Sequence, residues 1–276
     1  MSAAAAVPAA TPGSNVPAPT WMDAVEHPLD VRTLALLLDN RIAAIRIPGF
    51  ASVDECRAFA AAARAGNIRH YSVGRRIGYI GMAQYEYRWD RPKSDFFEAV
   101  PAAAADLQQV CARSFDAVQR LIDRLQAVWP HPVGIAREEA GPYFAGIVRF
   151  ASEGVDLHAD WAPLNAPHYA IGRIDAQLGW NFFAEELAEG GITIVHNAPW
   201  SPPVAAGEIP RSYGLDRAIV AGAPSMSYRP TAGDVVLFNT RNPHEVSGGP
   251  AGGNAERISI GSFVGRLPDG QLVLWS

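Results

Sequence analysis

Two cysteines in 276 residues are too few for a disulfide framework or a four-thiolate zinc site. Cys56 and Cys111 fall in helical patterns and read as buried thiols of a protein kept in a reducing cytoplasm. Long apolar runs are missing as well. None approaches the ~18–20 residues that a bilayer span requires, so no membrane partner is expected. Basic charge is not in excess: 23 Lys and Arg stand against 28 Asp and Glu, a net charge of −5. That balance leaves no electrostatic footprint for nucleic acid. The first stretch, 1–23, is rich in Ala and Pro but has no basic start and no sustained hydrophobic segment. It reads as a disordered tail rather than a signal peptide. No internal repeat is present.

What remains is one globular unit from about residue 24, large enough for a single sizeable core. Residues 24–130 read as a helical scaffold with an early strand at Ile42–Ile47. Helical patterning covers Val31 to Leu38, and Ser52 with Glu55 three residues on makes a capping box that opens a helix running to Ala65-Gly66. Ser94 is a candidate cap for another helix, interrupted at Pro101, and Ala102 to Val128 resumes the helical spacing. In 131–276, turn residues separate short strands. That is the signature of a jelly roll or barrel, so the fold class is mainly β with helical support, carrying an N-terminal helical region.

The chemistry concentrates in His158-Ala159-Asp160, His244 and Arg257. In a strand, residues i and i+2 share a face, so His158 and Asp160 can reach one metal while Ala159 turns away. The apolar run Asp234–Phe238 leads through Asn242-Pro243 to His244, read as the end of that strand. Two imidazoles and a carboxylate can hold one face of an iron(II) ion and leave the other open, the logic of the 2-His-1-carboxylate facial triad. On the next strand Arg257 and Ser259 share a face. The guanidinium fork suits the far carboxylate of a 2-oxo acid, and Ser259 can add a hydrogen bond. An H-x-D tripeptide alone is a weak signal; the ordered set carries the reading.

With those residues in place, the chain resembles the Fe(II)/2-oxoglutarate-dependent dioxygenases. Within them, His158–Pro163, Gly179–Phe183 and Gly190–Ile194 look like one branch. That branch holds bacterial hydroxylases of N-substituted (N-succinyl) amino acids and the carbon halogenases of hapalindole-type alkaloids. The resemblance implies a double-stranded β-helix (a cupin-like jelly roll) in which His158, Asp160 and His244 bind iron and Arg257 anchors 2-oxoglutarate, with dioxygen as co-oxidant. In the halogenases a glycine or alanine replaces the acidic ligand and frees a site for chloride. Asp160 therefore points to hydroxylation with release of succinate and CO2.

Three regions are candidates for shaping the pocket. Tyr71–Trp89 carries Arg75, Arg76 and Tyr79, groups that bind anions and stack on rings. Gln177, Gly179 and Asn181 share one strand face, with Asn181 able to bond 2-oxoglutarate or substrate; Trp180 and Phe182 lie on the other face. The Pro/Gly/Ser-rich stretch Asn197–Tyr228 is long enough to form a lid and carries Arg211 and Arg217. With Arg149 and Arg173, these arginines point to a small acidic substrate, whose hydrocarbon part Tyr79, Trp161, Trp180 and Phe182 would enclose. Arg241, close to His244 in sequence, precedes a turn and is read as pointing elsewhere. An alkaloid or peptide oxygenase and a non-redox cupin-like metal protein remain as alternatives, and a homodimer stays open.

Overall fold

A computed structural model describes residues 18–71, 77–87, 91–201, 214–250 and 256–276. The first third supplies β1 (Glu26–His27), α1 (Val31–Leu38), β2 (Ala44–Ile47), α2 (Val53–Arg64), β3 (Arg69–His70) and β4 (Gly78–Ile80). Helices α3 (Lys93–Cys111) and α4 (Ala117–Gln126) follow. Strands β5 (Val133–Ile135), β6 (Arg137–Glu138), β7 (Gly141–Pro142), β8 (Ile147–Ala151) and β9 (Val155–His158) come next. After the short helix α5 (Ala162–Asn165) the chain forms β10 (Ala176–Glu185), β11 (Thr193–His196) and β12 (Ser225–Tyr228). It ends with β13 (Val235–Asn239), β14 (His244–Val246), β15 (Arg257–Arg266) and β16 (Leu272–Trp275).

Apart from the separate β6–β7 pair, these strands build two facing sheets of a jelly roll. The larger sheet has the order β1-β2-β13-β10-β15-β8-β4-β3, with β16 beside β15 and β5 beside β16. The smaller has the order β12-β11-β14-β9. Strands β10 and β15 are the spine of the larger sheet, and alternation along them separates two environments. Leu178, Trp180 and Phe182 of β10, with Ile258, Ile260 and Val264 of β15, join the main hydrophobic core under the helices. There Phe182 packs against Phe50, Phe59 and Phe115, ring centroids 5.4–5.7 Å away. Phe183 points the opposite way, into a small interior cluster with Val195, Met226, Tyr228, Val236 and Phe238.

Local signals account for the helices. Asp30 and Thr33 form a capping box at α1, and Ser52 and Glu55 form one at α2. Helix α3 departs from the sequence reading. It begins after Pro92 rather than at Ser94 and runs through Pro101 without interruption. Burial of Phe96, Val100, Ala103, Leu107 and Val110 along one face outweighs the hydrogen bond that the proline cannot make. The expected continuous segment from Ala102 to Val128 is instead broken at 112–116. Ser114 donates back to the Val110 carbonyl, and Asp116 caps α4 by accepting the Gln119 N–H. The N-terminal region is also less purely helical than expected, since β1 to β4 extend both flanks of the larger sheet.

Residues 20–22, expected within the tail, are bonded to the body of the fold. Thr20 Oγ1 donates to the Asn40 carbonyl, Trp21 Nε1 to Asn40 Oδ1, and the Met22 N–H to the Arg41 carbonyl. Residues 1–17 lie outside the described residues. Among the described residues, no helix is long and apolar enough to cross a membrane.

Candidate metal centre

Strand β9 ends at His158 and β14 begins at His244, and the two residues are direct cross-strand partners. Their rings lie 4.1 Å apart between centroids. Asp160 follows two residues beyond the end of β9, so it is a turn that delivers this carboxylate and not a shared strand face. The turn is fixed by the Asp160 N–H, which donates to the Thr240 carbonyl at 2.9 Å, and by Thr240 Oγ1, which donates to the Asp160 carbonyl at 3.1 Å. His244 likewise opens a new strand after the 240–243 turn rather than ending Val235–Asn239. Asp160 Oδ2 stands 3.7 Å from His158 Nε2 and 3.8 Å from His244 Nε2. One ligand atom from each of the three residues falls within 4.8 Å of the others, and all three are buried.

Both imidazoles are held in the form a metal needs. His158 Nδ1–H donates to the Asp156 carbonyl at 2.7 Å, and His244 Nδ1–H to the Asn242 carbonyl at 3.0 Å. This assignment leaves each Nε2 lone pair facing the cluster. Burial, reinforced by the neighbouring His158, holds His244 well below the usual histidine range, so the neutral ring is the resident form.

A second observation lies one step into the barrel. Arg257 is buried, and burial lowers its pKa. Among the described residues its Nε has no hydrogen-bond partner, and its one hydrogen bond is a long one of 3.5 Å from Nη1 to the Gly191 carbonyl. Among the described residues no carboxylate pairs with it. The phenol of Tyr228 is buried next to its cross-strand partner Thr193, and burial pushes that phenol up to about 12. An uncompensated buried guanidinium is costly in a folded chain. The donor set of two neutral imidazoles and a carboxylate fits ferrous iron, and the unpaired guanidinium nearby fits an anionic cosubstrate.

Residues 23–276 match the family model described as the carrier-protein-independent halogenase WelO5. The chain belongs to that family. Its members are Fe(II)/2-oxoglutarate-dependent oxygenases, with iron and 2-oxoglutarate as cofactor and cosubstrate. Among curated proteins, the leucinostatins biosynthesis cluster protein S of Purpureocillium lilacinum is 33% identical over 211 residues, covering 72% of this chain and 86% of the relative. The L-gamma-glutamyl-L-propargylglycine hydroxylase of Streptantibioticus cattleyicolor is 34% identical over 169 residues, 58% of this chain and 59% of that enzyme. The crystal structure of an N-substituted L-amino acid dioxygenase from Burkholderia ambifaria superposes with a TM-score of 0.55 at 14% identity, covering 89% of this chain and 91% of that one. At that identity the likeness speaks to the fold.

Within this WelO5-family site the remaining candidates scatter. Ser259 and Arg149 are direct partners between β15 and β8, and Tyr79 of β4 is the next partner beyond Arg149, so the three share the interior face of the larger sheet. Tyr79 is stacked on Tyr71 at 4.3 Å. Asn181 lies on the same interior face opposite Gly261, where a Cβ would come within 2.6 Å of Asn181 Oδ1 and 2.4 Å of the Trp180 carbonyl oxygen. Glycine there makes the room that the amide occupies. Trp161 follows Asp160 and lies under the Arg241 guanidinium. Arg173 is exposed and is not brought to the cluster. Arg75, Arg76 and Arg211 lie outside the described residues. Arg217 is exposed and engaged with Glu245.

Two expectations fail. Trp180 and Phe182 cannot enclose a substrate, because the pleat turns them to the outer core; Trp180 Nε1 donates to Ser262 Oγ there at 2.6 Å. Residues that position the site were also overlooked. Gln177 accepts the Ala162 N–H through Oε1 at 2.8 Å, and its carbonyl accepts the Thr240 N–H, tying both turns around Asp160 to β10. Its only sequence signal is a polar residue at the head of an apolar strand. Tyr228 was counted within the lid stretch, although Ser225-Met226-Ser227-Tyr228 alternates with period two.

Proposed function

We propose that this chain hydroxylates an unactivated C–H bond of a small acidic molecule of the N-substituted amino-acid class. One O2 and one 2-oxoglutarate would be consumed, with succinate and CO2 released and one oxygen atom placed on the substrate carbon. The observation that carries hydroxylation over halogenation is Asp160. Its carboxylate stands where the third protein ligand is needed, within 3.8 Å of both imidazole Nε2 atoms, and so leaves no vacant protein position for a halide. The hydroxylase named above, 34% identical, supports the same choice.

In this reading His158, Asp160 and His244 hold the iron, which supplies activation of dioxygen when 2-oxoglutarate is bound beside it. Arg257, with Ser259 and the Tyr228 hydroxyl, receives the far carboxylate of 2-oxoglutarate in a charge-assisted cradle. Asn181 orients the cosubstrate or the substrate from the opposing strand. Gln177 and Thr240 keep the Asp160 turn from drifting. The apolar interior formed by Phe183, Val195, Met226 and Phe238 excludes water from this end of the barrel.

The test begins with anaerobic addition of Fe(II) and 2-oxoglutarate, which should produce a weak visible charge-transfer band. Air is then admitted with N-succinyl amino acids, γ-glutamyl dipeptides, free amino acids and indole alkaloids, each with chloride and bromide present. A hydroxylated product formed one-to-one with succinate is expected from an acidic N-substituted amino acid. A halogenated product, or turnover of alkaloids alone, overturns the reading.

A further inference from the structure

Six arginines among the described residues are not exposed: Arg46, Arg120, Arg149, Arg241, Arg257 and Arg266. Three of them meet carboxylates. Arg46 pairs with Glu26 and Asp234, Arg120 with Glu55, and Arg266 with Asp39 and Asp175. Arg149, Arg241 and Arg257 pair with none among the described residues. A guanidinium withdrawn from water without an acid is a cost that a stable fold ordinarily avoids; Arg257 is buried, and Arg149 and Arg241 are half-buried. Arg257 is accounted for by 2-oxoglutarate. Arg149 lies beside Ser259 and close enough to Arg257 for their charges to repel, so it belongs to the same end of the barrel.

Arg241 is placed differently. It sits in the turn between β13 and β14, three residues before His244, and follows Thr240, the residue that clasps Asp160. Its guanidinium carbon lies 4.7 Å from the ring centroid of Trp161, the residue directly after Asp160. Nη2 donates to the Trp200 carbonyl at 3.3 Å and approaches Ser201 Oγ at 3.5 Å. Nε is buried with no partner at all. The side chain is therefore steered by an indole face and a backbone carbonyl, yet among the described residues its Nε stays unused over Trp161, the residue that follows Asp160. We propose that Arg241, held over Trp161, is the anchor for a carboxylate of the prime substrate, making it a specificity-determining residue.

This inference rests on the hydroxylase reading and adds to it where the acidic group of the substrate sits. Bidentate guanidinium recognition selects a planar anion. A carboxylate fixed next to Trp161 would place carbons a few bonds away near the Asp160 side of the iron. A purely structural Arg241, serving only to hold the Trp200 carbonyl, would have no reason to tell an acid from its amide.

That difference is the experiment. The parent, Arg241→Met, Arg241→Lys and Trp161→Phe are loaded anaerobically with Fe(II) and 2-oxoglutarate, so that binding is read without turnover. Each is titrated with N-succinyl-L-leucine and with the same molecule carrying amides in place of both carboxylates. Binding is followed by tryptophan emission, the Trp161→Phe protein identifying the share that Trp161 reports. The parent should bind the acid at least about tenfold tighter than the diamide. Arg241→Met should erase that preference by weakening the acid alone, Arg241→Lys should restore part of it, and melting temperature and 2-oxoglutarate affinity should stay at parent values. The proposal is overturned if Arg241→Met keeps the preference, if it loses 2-oxoglutarate affinity as well, or if the parent binds acid and diamide alike or binds neither. Failure of the hydroxylase reading shows separately, as a missing charge-transfer band or a halogenated product.

Discussion

The two faces of β10 and β15 are made from alternate residues of the same strands, and they follow opposite rules. Outward, Trp180, Phe182, Ile258, Ile260 and Val264 pack under the helices, and the one polar handle, Trp180 Nε1, finds Ser262. Inward, Asn181, Phe183, Arg257, Ser259 and Gly261 share the face turned to the barrel interior, where among the described residues the Arg257 Nε lacks a partner and the Tyr228 phenol is buried. The outer face closes its hydrogen-bond accounting and stabilises the fold. The inner face leaves it open, at a cost in stability, and the group left unpaired is one that a metal-bound anion would satisfy.

The largest effect that would sharpen this contrast lies at the three ligands. His158→Ala, His244→Ala and Asp160→Ala each leave two protein donors, so iron retained after desalting and turnover should both fall by at least about a hundredfold. A variant that keeps one iron per chain and parent turnover would break the assignment. Next comes Arg257→Met. Losing one member of a desolvated charge pair costs ~2–5 kcal/mol, so the apparent dissociation constant for 2-oxoglutarate should rise about thirty-fold or more while iron binding persists. The same substitution removes an uncompensated buried charge, so the protein free of cosubstrate should melt higher than the parent. A lower melting temperature would mean that Arg257 is a structural residue.

Phe182→Ala tests the opposite face. It cuts into an aromatic cluster with Phe50, Phe59 and Phe115 and should cost about 3–5 kcal/mol in a denaturant titration. The folded fraction should still bind iron and 2-oxoglutarate within about twofold of the parent. If cosubstrate affinity collapses together with stability, the two faces are coupled and the division drawn between them is wrong.

Much of this division was legible in the chain. Period-two alternation in Arg257–Phe263 put Arg257 and Ser259 on one face, and the ordered set of His158, Asp160 and His244 marked the cluster. The capping box at Ser52 and Glu55 fixed the start of α2. Alternation alone, however, does not say which face is the inside. Trp180 and Phe182 were therefore assigned to the pocket when tertiary packing had given them to the helices. The Asp160 turn depends on Thr240 and Gln177, far away in sequence, and strand periodicity carries no trace of such a clasp. Arg241 was read as pointing elsewhere from its place before a turn, a position whose side-chain direction periodicity does not give. Pro101 was taken for a helix break because local propensity was weighed without the five buried side chains along α3.

The smallest expected effect concerns Tyr228, the buried phenol of the inner face. Tyr228→Phe removes an oxygen whose one neighbouring partner is Thr193 across the strand pair, so at neutral pH melting should be unchanged or slightly lowered. If that hydroxyl joins Arg257 around the far carboxylate, 2-oxoglutarate binding should weaken by roughly tenfold, less than for Arg257→Met. The alkaline limb gives an independent check. Burial lifts the Tyr228 phenol to about 12, whereas the unfolded chain ionises near pH ~10. Below pH ~10 both states hold the proton, and the contribution to stability is fully present. Between there and pH ~12 the unfolded state releases its proton while the folded state keeps it, so stability falls by up to ~1.4 kcal/mol per pH unit. Tyr228→Phe has no such proton to lose. Urea midpoints at pH 9 and pH 11 should therefore drop less in the variant than in the parent. Equal drops would place the Tyr228 hydroxyl in contact with water and remove it from the buried face that the cosubstrate is expected to complete.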